Sequence, residues 1–98
     1  MLKIKDNVDL KELKNYGFVE LNVFDTTDCM KTNVYCLISK NKECFIKKNH
    51  IKEIFIDCYI DENNKIDFCA YDECINWDLV LSVLYDLIKD GLVEKVEE

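Results

Sequence analysis

Proline and arginine are absent from this 98-residue chain, glycine occurs twice and histidine once. Each absence excludes something. Without proline, loops have to be made by Asn, Asp and Lys. Gly17 and Gly91 each follow an apolar-periodic segment, where glycine ends a helix. No glycine is left for a loop that cradles phosphate. All thirteen basic residues are Lys, so the planar fork that grips phosphate or guanine bidentately is missing. The single histidine, His50, follows Lys47-Lys48-Asn49 and reads as a solvated turn residue. No G-x-S-x-G, Cys/His signature or suitable Ser context gives it a nucleophile to activate. The six cysteines (Cys29, Cys36, Cys44, Cys58, Cys69, Cys74) contain no C-x₂-C pair, which a structural zinc site normally needs. Cys36, Cys44, Cys58 and Cys69 fall in predicted strands, where Cys acts as a small hydrophobe. Cys69 and Cys74 are the closest pair. Asp61-Glu62 and Asp72-Glu73 lack the alternating ligands of a calcium loop. The sequence predicts no enzyme, no cofactor and no metal.

What is present centres on Asn76–Glu94, NWDLVLSVLYDLIKDGLVE. At about 100° per residue, Asp78, Ser82, Asp86, Lys89 and Asp90 share one arc. Trp77, Val80, Leu81, Leu84, Tyr85, Leu87 and Ile88 fill most of the rest. So narrow a polar stripe predicts a helix covered on more than one side. Asn76 is its N-cap, Asp78 sits at the favourable end of the dipole, and Gly91 ends it with Leu92 folded back on Leu87. The run is interrupted by charge and too short to span a bilayer.

Earlier in the chain, Asp6 or Asn7 is expected to cap a short helix ended by Gly17, with Leu10 and Leu13 inward. LKELKNYGFVE (10–20) and LYDLIKDGLVE (84–94) share Leu-x-x-Leu-x-x-x-Gly-apolar-Val-Glu, which reads as one capping chemistry used twice. Alternation predicts strands at Phe18–Phe24 (Val19, Leu21 and Val23 inward), Asn33–Ser39, Cys44–Lys47, Ile51–Ile60 (Ile54, Ile56, Cys58 and Ile60 on one face) and Ile66–Tyr71. Leu92–Val96 reads as a last edge strand. The expected fold is therefore a single α+β domain over residues 1–98. An antiparallel sheet of about five strands carries a short N-terminal helix and a long C-terminal helix packed on one face.

The net charge of −7 is uneven. Residues 1–50 hold nine Lys against seven acids, or +2, whereas residues 51–98 hold four Lys against thirteen acids, or −9. Such a half repels nucleic acid and anionic membranes and favours a partner with a basic surface. The candidate partner-binding residues are Asp57, Asp61, Glu62, Asp67, Asp72, Glu73, Asp78 and Asp86. Lys40, Lys42, Lys47, Lys48 and Lys52 cluster around the central hairpin and read as a solvated charge run. Met1–Lys5 opens no apolar run, so the expected setting is a reducing cytoplasm.

Two resemblances bear on function. LYDLIKDGLVEKV (84–96) resembles the end of a winged-helix recognition helix and the start of its wing, which implies a DNA-binding regulator. The Lys-Ile-Lys-Asp start, LKELKNYGF and LYDLIKDGLVEKV together are similar to small proteins of phages and mobile elements in low-GC bacteria. That class includes acidic inhibitors of host defence, anti-CRISPR proteins among them, which bind a nuclease at its guide- or DNA-binding surface. The resemblance implies a non-enzymatic, protein-binding inhibitor. A homo-oligomeric accessory protein, joined through the edge strand Leu92–Val96, is the alternative from another class.

Overall fold

A computed structural model describes residues 2–38, 42–49, 51–56, 58–68 and 76–96. Its elements are β1 (Leu2–Ile4), a 3₁₀ helix (Leu10–Tyr16), β2 (Phe18–Asp25), β3 (Met30–Leu37), β4 (Phe45–Lys47), β5 (Ile54–Phe55), β6 (Cys58–Ile60), β7 (Lys65–Phe68), α1 (Trp77–Lys89) and β8 (Val93–Lys95). The α+β expectation is corrected here. Among the described residues the chain is mostly β, with eight strands in two sheets and only the 3₁₀ helix and the thirteen-residue α1 beside them.

The larger sheet has the order β5-β4-β3-β2-β7-β6 and is mixed, because β7 runs parallel to β2. Its edge strands β5 and β6 are separated by two residues in sequence. Six strands laid flat would put those edges roughly 24 Å apart, at about 4.8 Å per strand. Three residue steps reach at most about 11 Å. The sheet therefore curls until its edges approach, and β5 and β6 together fill one position of a five-position barrel-like meander. In a meander with an odd number of positions the first and last strands point the same way. The parallel β2–β7 contact follows from closure.

Closure also explains why the predicted Ile51–Ile60 strand is broken. Ile54 and Ile56 pack in one core and Cys58 and Ile60 in another, so this stretch serves both faces of the sheet. Alternation along β3 and β4 separates the same two cores. Val34, Cys36 and Phe45 join Val23, Cys58, Ile60 and Ile66 inside the curled sheet. Tyr35, Leu37 and Ile46 point the other way, where α1 covers them with Val80, Val83, Leu84 and Leu87 and the 3₁₀ helix adds Leu10 and Leu13. Along β2, Phe18 is buried in the outer core and Val19 is exposed, contrary to the inward Val19 expected; Leu21 and Val23 do face the inner core.

Leu92–Val96 is not a free-standing edge strand. Its core, β8, pairs antiparallel with β1, which no alternation pattern announced, and Lys3 of β1 bridges on to Glu53. Helix ends follow local chemistry more closely. Asn76 Oδ1 accepts from Leu79 N at 3.3 Å, and Leu92 N donates to Leu87 O at 3.0 Å around a left-handed Gly91. The first helix is capped by Asp9, two or three residues later than expected, and ends at left-handed Gly17. Buried Glu43 ties the two layers, because its Oε1 accepts the Asn76 N–H at 2.7 Å and so fixes the start of α1 to the segment before β4.

Gly17 has φ +95° with Leu37 Cδ1 at 3.5 Å from the position of a Cβ, and Gly91 has φ +76° with open space. Room exists at both, so the cost of a side chain is conformational. Gly17→Ala and Gly91→Ala are each expected to lower stability by about 1–2 kcal/mol, read as a lower urea midpoint; unchanged midpoints would contradict the cap geometry.

Candidate interaction surface

The expected site residues fall into three groups. Asp57, Asp72 and Glu73 lie outside the described residues, as do His50, Lys40, Cys69 and Cys74. Asp61, Glu62 and Asp67 belong to the β6–β7 hairpin. Asp61 is already employed there, since its Oδ1 accepts from Asn63 N at 2.8 Å and Lys65 N at 3.0 Å and so shapes the turn. Glu62 and Asp67 are exposed. Asp78 and Asp86 are exposed on α1, two turns apart on one flank with Ser82 and Lys89. The first set rides on the strands that line the inner core, the second on the helix that covers the outer one.

The lysine cluster is solvated only in part. Lys47 Nζ lies 2.5 Å from Asp25 Oδ2, Lys48 pairs with Glu20 at 3.7 Å, and Lys42 donates to Asn64 Oδ1 at 3.1 Å. Lys52 donates to the carbonyls of Asp6 and Val8 at 3.2 and 2.8 Å, pinning the segment after β1. Lys47 and Lys52 therefore hold the fold, while Lys42 and Lys48 find partners at the surface, which leaves less free positive charge for phosphate than the sequence suggested.

Asp25 is the buried charge of this group. Burial pushes its carboxyl up, but the hydrogen bond and charge of Lys47 together with the Thr27 and Asp28 N–H groups outweigh that and hold it below the ordinary carboxylate range. Asp28 stands 3.8 Å from the same ammonium, which also lies 5.3 Å from the centroid of the Phe55 ring. Burial pushes the thiols of Cys36 and Cys44 up, to about 11 and about 12, so both are un-ionised and inert as nucleophiles at neutral pH. Among the described residues no group of three or more His, Cys, Asp or Glu could hold a metal ion, and no helix is long and apolar enough to cross a membrane.

The feature that sequence reasoning placed wrongly is the second apolar side of α1. Its inner side is packed as the moment requires, but Leu81, Tyr85 and Ile88 are 55%, 66% and 54% exposed. They recur at i, i+4 and i+7, so they form one stripe, which starts at half-buried Trp77. Asp78, Ser82, Asp86 and Lys89 border it. The hydrophobic periodicity was the signal that could have found this surface; it shows which helix sides are apolar but not which the chain itself covers. At the C-terminal end of that polar arc the Tyr16 hydroxyl donates to Asp90 at 2.5 Å; that bond, with burial and the Asp90 charge, pushes Tyr16 up to about 12.

The Asp25 carboxyl is depressed in the folded chain, so its contribution to stability is complete above the unfolded carboxylate value and is lost as pH falls through the folded one. Stability is expected to decline on acidification below the ordinary carboxylate range, less steeply in Asp25→Asn, in urea titrations at stepped pH. At neutral pH, Lys47→Met leaves Asp25 buried without its cation and is expected to cost about 3 kcal/mol or more; a neutral result would mean the pair is not sequestered.

No family model matches this chain, and no curated protein or solved structure matches it either.

Proposed function

We propose that this chain is a non-catalytic protein-binding protein that docks through the outer stripe of α1 onto a partner whose apolar groove is bordered by Lys and Arg. The observation that carries the reading is the exposure of Leu81, Tyr85 and Ile88 in one line on a helix whose other side is fully packed. Burying such a side chain stabilises a complex by about 1.5–3 kcal/mol before ordering costs. A contiguous apolar stripe with a polar border is the usual form of a helix-in-groove anchor.

Charge argues for the kind of partner. Two copies paired through this stripe would bring a net −7 against a net −7, an arrangement that self-repulsion opposes. A basic partner is attracted by the same field, to which Asp61, Glu62 and Asp67 on the hairpin and Asp78 and Asp86 on the helix all contribute. Proteins that hold nucleic acid present such surfaces, and a defence nuclease of the CRISPR-effector type fits the class. In this reading the chain works in the cytoplasm as an inhibitor of phage or mobile-element type. The winged-helix alternative asks for three helices ahead of the wing, whereas the described elements before α1 are seven strands and one 3₁₀ helix.

The test is affinity capture from nuclease-treated bacterial lysate with the wild type and with Leu81→Ser/Tyr85→Ser/Ile88→Ser. The triple variant is expected to keep the wild-type urea midpoint, because those side chains face solvent, and to lose a stoichiometric basic protein that the wild type retains. Retention by the wild type is expected to weaken as salt rises. Equal capture by both proteins, or a wild-type dimer by light scattering at high micromolar concentration, would overturn the proposal.

A further inference from the structure

The closed sheet has a second feature that the helix face does not explain. A cavity of about 180 Å³ lies at the Asp25 end of the barrel, walled by Phe45, Phe55, Cys58 and Ile66. Asp25, Thr27, Asp28 and Lys47 form the rest of its lining, and the exposed Thr27 and Asp28 place its mouth at the surface. We propose that this cavity binds a small, planar, uncharged aromatic amide.

Size sets the first limit. An apolar cavity of roughly 150 Å³ accommodates benzene, so this one takes a single six-membered ring with a small substituent. The walls set the second. Phe45 and Phe55 are stacked with centroids 5.0 Å apart and planes within 11°, and the Lys47 ammonium lies over Phe55. Phe55 is already engaged by Phe45 and by the Lys47 ammonium, so a guest ring meets the pair at its edges, an arrangement that aromatic rings favour.

The polar lining selects the substituent. Among the described residues Lys47 donates one side-chain hydrogen bond, to Asp25, and faces Asp28 across 3.8 Å, too far for a second. A cation with N–H groups to spare therefore stands beside a carboxylate with lone pairs to spare. An amide carries a C=O acceptor and an N–H donor side by side, so its oxygen can accept from Lys47 while its N–H donates to Asp28. A carboxylate in that place would meet the negative charges of Asp25 and Asp28. An ammonium could pair with Asp28 but stands against Lys47 and offers it no acceptor, whereas the amide satisfies both groups.

The experiment is a titration of the isotope-labelled protein, followed by backbone amide shifts, with three probes on the same ring: benzamide, benzoate and benzylamine. Benzamide is expected to give saturable shifts at Phe45, Phe55 and Ile66 and to bind more tightly than either charged probe. Asp28→Ala, an exposed position whose loss leaves the Asp25–Lys47 pair intact, is expected to weaken benzamide about tenfold and to leave the fold unchanged by the same spectra. No saturable shift with benzamide would overturn the proposal, as would equal affinity for all three probes or a charged probe binding best. The Leu81/Tyr85/Ile88 stripe takes no part in this test, so its outcome is independent of the docking reading.

Discussion

The short connection between Phe55 and Cys58 constrains the rest of the molecule. Because β5 and β6 are neighbours in sequence and opposite edges of the larger sheet, the sheet has to curl, and a curled sheet has an inside and an outside. The inside is filled by Val23, Val34, Cys36, Phe45, Cys58, Ile60 and Ile66. The outside, over β3 and β4, is left apolar by the same alternation and needs a cover. The 3₁₀ helix, α1 and the β1–β8 pair supply it. One two-residue step thus accounts for the parallel β2–β7 contact, for two cores in a chain of 98 residues, and for the position of the one α-helix among the described residues.

Polar groups hold these layers in place. Asp25 and Lys47 join the ends of β2 and β4 across β3, Glu43 holds the first turn of α1, and Lys52 gathers the carbonyls of Asp6 and Val8. Among the described residues no buried side-chain polar atom lacks a partner, so these groups cost little to bury and a great deal to leave unpaired. Lysine is suited to this use because its long apolar stem can lie along the core while the ammonium reaches its acceptor. Lys47 and Lys52 are used in this way, while most of the other described lysines stay exposed.

Local chemistry was legible in the sequence and closure was not. Asn76, Gly17 and Gly91 act through contacts within a few residues, so their roles could be read from spacing. Most strand positions were legible for the same reason, since alternation is local. Pairing was not, because β1 with β8 and β2 with β7 are partners distant in the chain, and β1 is too short for a period to show. The Ile51–Ile60 run misled because its alternation is regular while the core it faces changes midway. For the site, the acids on α1 and the hairpin could be listed but not placed. The apolar sides of α1 could be seen but not divided into the covered and the open. Asp25, with Glu43 one of the two buried acids among the described residues, was passed over because nothing in its sequence neighbourhood marks it as paired with a lysine two strands away.

In the proposed docking a partner sits on the open side of α1 and not on the acidic hairpin. A photo-crosslinking residue placed at Tyr85 and, separately, at Glu62 tests it directly in living bacterial cells. One discrete adduct with a basic protein is expected from position 85, and none or a much weaker one from position 62. A dominant adduct from position 62 with none from 85, or an adduct at 85 made only of a second copy of this chain, would contradict it.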